Sequence, residues 1–149
     1  MKRFVFPLHQ IRAWNATGLK LEETELEALV DRQRRIEAAY AQVCADRSDL
    51  EQQTLRQPLI EATELGRIEQ FRTYAMTEGR RLLSAQADYA KAVAERRGRI
   101  VELKRKIALL DKLRERQQAA WSAEEAKELQ AAADEAFLQK LVAQRGMVS

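Results

Sequence analysis

Between Leu19 and Gln57 the chain has neither glycine nor proline, and apolar residues recur by alternate steps of three and four. From Leu26 the stepping visits Leu26, Leu29, Gln33, Ile36, Tyr40, Val43, Arg47, Leu50, Thr54 and Gln57, and six of the first eight are apolar or aromatic. Residues three and four apart share one face of a helix, so this pattern is a heptad stripe. Leu8, Ile11 and Leu19 carry an imperfect stripe toward the N-terminus. The expectation is one helix over about residues 9–56. Pro58 stops it, because proline lacks the N–H and biases the residue before it away from the helical region. The run QPLIEATELG, residues 57–66, is the only clear break in the chain.

A second stripe follows through Ile68, Ala75, Leu82, Tyr89, Val93, Ile100, Leu103, Ile107, Leu110, Trp121 and Leu138, with Gln86, Arg96, Arg114 and Gln117 between. It predicts a second helix over about residues 66–143, roughly 115 Å long at ~1.5 Å per residue, against roughly 70 Å for the first. The fold class is all-α, a long antiparallel two-helix coiled-coil hairpin. The unequal lengths allow two arrangements. In one the second helix is continuous and its C-terminal part overhangs, with Arg96, Arg97 and Arg99 facing Glu22 to Glu27. In the other, residues 58 to about 80 form a separate short helix near the turn, jointed at Gly79, and the basic run 96–106 faces Asp46, Asp49 and Glu51. Charge pairing serves both, and the second is preferred.

Composition agrees with helices and limits the chemistry. The chain has 149 residues, which argues for one domain. Charged residues make up 33% and aromatics 6%, so a thin seam fits better than a thick core. Cys44 and His9 are each alone, which excludes an intramolecular disulfide and a Cys-rich zinc site. Cys44 is expected as a small buried or half-buried side chain. The opening MKRFVFPLHQ is too short in its apolar run for a signal-peptide core, and no stretch approaches the ~18 apolar residues of a membrane span. A cytoplasmic chain without direct membrane insertion is expected. There is no Gly-rich phosphate loop, no nucleophile elbow and no His-based acid/base pair, and a two-helix rod offers no pocket to shift a carboxylate pKa. No enzymatic activity, catalytic residue, metal or cofactor is expected.

The segment ERRGRIVELKRKIALLDKLRERQ, residues 95–117, holds nine Lys or Arg against four Asp or Glu. A basic helix of this kind raises the question of nucleic acid. Ile100, Leu103, Ile107 and Leu110 put the seam through the middle of it, whereas a zipper-type DNA reader keeps its basic region outside the seam. The net charge of +3 is also mild for a nucleic-acid binder. A solvated face, or a face for protein docking, accounts for the segment better, and no nucleic acid is expected as a partner.

Three stretches bear on family. The chain opens FVFPLHQIRAW, carries LDKLRERQQAA at 110–120, and has AADEAFLQKL at 132–141. In this order, with this length and a hairpin pattern, the whole chain resembles the flagellar export protein FliJ family, which is similar to the YscO-type stalk proteins of virulence type III secretion. The acidic pair Asp134-Glu135 precedes Phe137 with Ala136 between, where the family places the aromatic or apolar residue directly after the pair. The resemblance implies a coiled coil similar to the central stalk of rotary ATPases, monomeric when free and peripheral to the inner membrane at the flagellar base. Its partners would be the flagellar export ATPase ring, the cytoplasmic domain of the export gate, and export chaperones. For the ATPase-facing end it points to Arg12, Trp14, Phe137, Leu138 and Leu141; the alternative is that Trp14 and Phe137 pack on each other. For the gate-facing site it points to Phe71, Tyr74, Ala75 and Glu78, which lie on one helical face. Ala75 also belongs to the seam, so that face could be core instead. The alternatives in function are a virulence-system stalk of the YscO type and a generic coiled-coil scaffold.

Overall fold

A computed structural model describes residues 2–148. The described chain is all-helical: α1 spans His9–Arg56 and α2 spans Ala62–Val148. The start of α1 is set by the turn at Pro7, where the Phe6 carbonyl accepts the His9 N–H at 3.2 Å and the Leu8 carbonyl accepts the Arg12 N–H at 3.0 Å. Its end is set by Pro58, as expected. The last bond before it, Gln57 N–H to the Thr54 carbonyl at 3.3 Å, is the tighter three-residue kind that often closes helices. After a connection of residues 57–61, α2 begins four residues earlier than expected. Glu64 stands in its first turn, where a carboxylate meets the positive end of the helix dipole.

Helix α2 is continuous through Gly66, Gly79 and Gly98, and none of the three has a positive φ. This corrects the preferred arrangement: no separate short helix lies between 58 and 80, and Gly79 is not a joint. The physical reason is packing. A side chain added at Gly79 would sit 3.8 Å from the Tyr40 ring, so the glycine lies under an aromatic of α1 and needs no change of backbone direction. A helical glycine costs about 1 kcal/mol relative to alanine, far too little to break a helix held along one face.

By contacts the chain divides into two compact units, Leu19–Glu102 and the remainder. Within the first, α1 and α2 form an antiparallel hairpin around the 57–61 turn. Ala75, Leu82, Val93 and Ile100 are buried, with Leu82 only 2% exposed. Facing them, Leu26, Leu29, Gln33, Ile36, Tyr40, Val43, Leu50 and Thr54 are half-buried, while Arg47 and Gln57 of the same stepping are exposed. Arg96 fixes the register. Its guanidinium donates to the Glu22 carboxylate at 2.6 Å and is also paired with Glu25. This is the pairing of a continuous second helix; the alternative facing of 96–106 against Asp46, Asp49 and Glu51 does not occur.

In the other unit, residues up to Gly18 pair with α2 from Leu103 on. Phe6 is buried, Phe4 and Trp121 meet with ring centroids 6.1 Å apart, and the Trp121 indole N–H donates to the Lys2 carbonyl at 3.0 Å. Arg12 Nε donates to Asp111 Oδ1 at 2.9 Å. Leu103, Ile107, Leu110 and Gln117 continue the seam, half-buried. It ends there. Residues 126–147 are exposed at every position, and Leu138, expected in the stripe, is 60% exposed. Lys2 and Phe4 already lie against Trp121, and no described residue covers α2 beyond Glu125.

Candidate partner-binding surfaces

The first surface is the uncovered end of α2. Leu129, Ala133, Phe137 and Leu141 recur every four residues along one side, and Leu138 and Val142 widen the strip. Phe137 is 62% exposed and Val142 70%. Large apolar side chains scattered singly need no explanation, but a contiguous strip on a helix with no neighbour marks an interaction site. Helix formation does not depend on a neighbour here, since Ala, Leu, Glu, Gln and Lys fill the stretch and these are strong helix formers. Gln130 Nε2 donates to Asp134 Oδ1 at 3.0 Å along the same helix.

Of the residues expected at this end, Phe137, Leu138 and Leu141 lie together on the uncovered stretch. Arg12 and Trp14 are on α1. Arg12 is engaged within its own unit: the hydrogen bond and charge of Asp111 raise its pKa, and Arg12 in turn holds the Asp111 carboxyl below the usual carboxylate range, chiefly through that hydrogen bond. Its place is that of a clamp between α1 and α2. Trp14 is 80% exposed, so the alternative in which it packs on Phe137 does not occur.

The second surface lies beside the turn. Leu50, Thr54 and Leu55 of α1 and Ile68, Phe71 and Arg72 of α2 line a shallow groove of about 260 Å³. Phe71 is half-buried in its wall, and its ring centroid is 6.3 Å from that of the mostly exposed Tyr74. The expected gate-facing set is thus divided. Phe71 and Tyr74 stand together at the groove. Ala75 is 3% exposed and belongs to the seam. Glu78 is half-buried and tied to Arg81, whose Nε donates to it at 2.9 Å; this hydrogen bond lowers the Glu78 pKa. Leu55 and Leu59, outside the expected set, are 86% and 90% exposed next to this groove. Both fall off the stepping, and an apolar residue out of phase beside a proline turn is the signal that could have found them.

Cys44, expected buried or half-buried, is exposed. It stands one helical turn from Tyr40, and the neighbouring thiol raises the tyrosine pKa. Among the described residues no group of three His, Cys, Asp or Glu side chains could hold a metal ion, and no helix is long and apolar enough to cross a membrane. Both candidate surfaces therefore offer apolar contact edged by charge. No known family model, curated protein or solved structure matches this chain.

Proposed function

We propose that this chain is a non-enzymatic component of a type III protein export apparatus, the flagellar one, acting as a stalk-like coiled coil. In this reading it engages the export ATPase ring and couples it to the cytoplasmic domain of the export gate and to export chaperones, beside the inner membrane at the flagellar base. The observation that supports it most is the helical arm of residues 126–147, which holds Phe137, Leu138 and Leu141 uncovered. A paired hairpin supplies stiffness, and an unpaired helix supplies a surface for another protein to cover. Exposed ion pairs are individually worth only ~0–1 kcal/mol, which suits contacts that must exchange as a ring turns over nucleotide. The groove containing Phe71, with Tyr74 beside it, is the candidate for the gate.

The test is a titration of this protein into the export ATPase of the same organism, following hydrolysis rate and ring formation together. Both are expected to rise, and truncation after Ala133 is expected to abolish the rise. Absence of any association, with hydrolysis unchanged, overturns the export reading.

A further inference from the structure

The uncovered end of α2 is organised about one residue. Before Phe137 the stretch is rich in alanine, with Ala126, Ala131, Ala132, Ala133 and Ala136 against a single Leu129; after it come Leu138, Leu141, Val142 and Met147 against a single Ala143. Charge divides at the same place. Asp134 and Glu135 precede Phe137, Lys140 and Arg145 follow it, and the adjacent Lys127 and Glu128 offset each other. The stretch is thus small and acidic on one side of Phe137, bulky and basic on the other.

We propose that residues 126–147 of α2 pair with the same stretch of a second copy of this chain, antiparallel about Phe137. A two-fold axis through Phe137 places each residue opposite the one equally far on the other side. Ala133 then faces Leu141, both on the side of the helix that carries Phe137, so the large side chain fills the space that the small one leaves. At the edges of the contact Asp134 lies level with Lys140, and Arg145 lies over the acidic half. A two-fold contact of this kind must be self-complementary, and this stretch is so in both volume and charge. The parallel alternative sets Asp134 against Asp134 and Lys140 against Lys140, and like charges at facing positions repel. Pairing covers the strip that α1 leaves bare, Leu129 to Leu141. The inference stands on these residues alone, and because the export reading places the ATPase on the same strip, self-pairing and ATPase engagement exclude each other.

Self-association is measured by sedimentation of the full chain over a concentration series, with two charge variants. Lys140→Glu/Arg145→Glu makes both sides of Phe137 net acidic, and Asp134→Lys/Glu135→Lys makes both net basic. The wild type is expected to dimerise, each variant to weaken the dimer at least tenfold, and an equimolar mixture of the two variants to recover it, because every facing pair is then opposite in sign. Orientation is read separately by disulfide formation in a Cys44→Ser background. Phe137→Cys is expected to cross-link. Leu129→Cys is not, since antiparallel pairing separates the two copies of residue 129 by 16 residues, about 24 Å of helix. A monomer at all concentrations, a dimer indifferent to both charge variants, or ready cross-linking through Leu129→Cys overturns the proposal. The cross-links decide the matter even if a charge variant fails to fold.

Discussion

The hairpin of Leu19–Glu102 and the arm of residues 126–147 are built from the same kind of helix but meet opposite fates. Both carry apolar residues at helical spacing. In the hairpin, Leu82 is 2% exposed and Val93 4%; in the arm, Leu129 is 67% exposed and Leu138 60%. The difference lies in what stands opposite, since α1 supplies Leu29, Ile36, Tyr40 and Val43 to one and nothing to the other. A stripe of apolar residues states that a face wants cover. It does not state who provides it.

The comparison is broken most directly by truncating one leucine in each region. Leu82→Ala is expected to lose about 2–5 kcal/mol in chemical denaturation followed by circular dichroism, as a buried leucine leaves a cavity. Leu129→Ala, at concentrations where the chain is a monomer, is expected to stay within about 0.5 kcal/mol. Equal losses would mean that the arm is covered within the single chain.

A smaller effect sharpens the account of α2. A side chain added at Gly98 meets no atom within 4 Å, so Gly98→Ala should stabilise the protein by about 0.5–1 kcal/mol, through helix propensity alone. Destabilisation instead would show that α2 bends there in solution. The smallest effect is that of pH on the Arg12–Asp111 pair. Arg12 depresses the Asp111 pKa, so the stabilisation is present above the ordinary carboxylate range and fades as pH falls through the depressed value. Trp121 fluorescence in a Trp14→Phe background should therefore report a loosening as pH drops below the ordinary carboxylate range, and Asp111→Asn should remove that acid step.

Much of this architecture is legible in the order of residues. The stepping from Leu26 to Thr54 names most of the residues that α1 turns inward, and Pro58 places the turn. Arg47 falls in the stripe but remains exposed beside Glu51 at 3.4 Å, because a guanidinium gains more from water and a carboxylate than from an apolar seam. Gly79 suggests a joint because glycine weakens a helix in isolation; the Tyr40 ring over it is invisible to a local reading. Of the candidate surfaces, the apolar residues of the arm can be named from the sequence, and Phe71 and Tyr74 with them. Ala75 as core is named by the second stripe, whereas Arg12 as a clamp cannot be named, since it depends on which residues of α1 and α2 meet. The same holds for Phe6 and for the meeting of Trp121 with Lys2, which nothing in the local pattern announces.

The order in which the chain is made gives that last contact a consequence. Phe4 and Phe6 leave the ribosome well ahead of their cover, since Trp121 follows Lys2 by 119 residues. At 5–20 residues per second the wait is on the order of ten seconds. The hairpin begins to close at Pro58 before then, while the two phenylalanines remain without their cover. Newly made chains thus pass through an interval in which these two phenylalanines are open to capture, by a chaperone or by one another, and it closes only when Trp121 arrives.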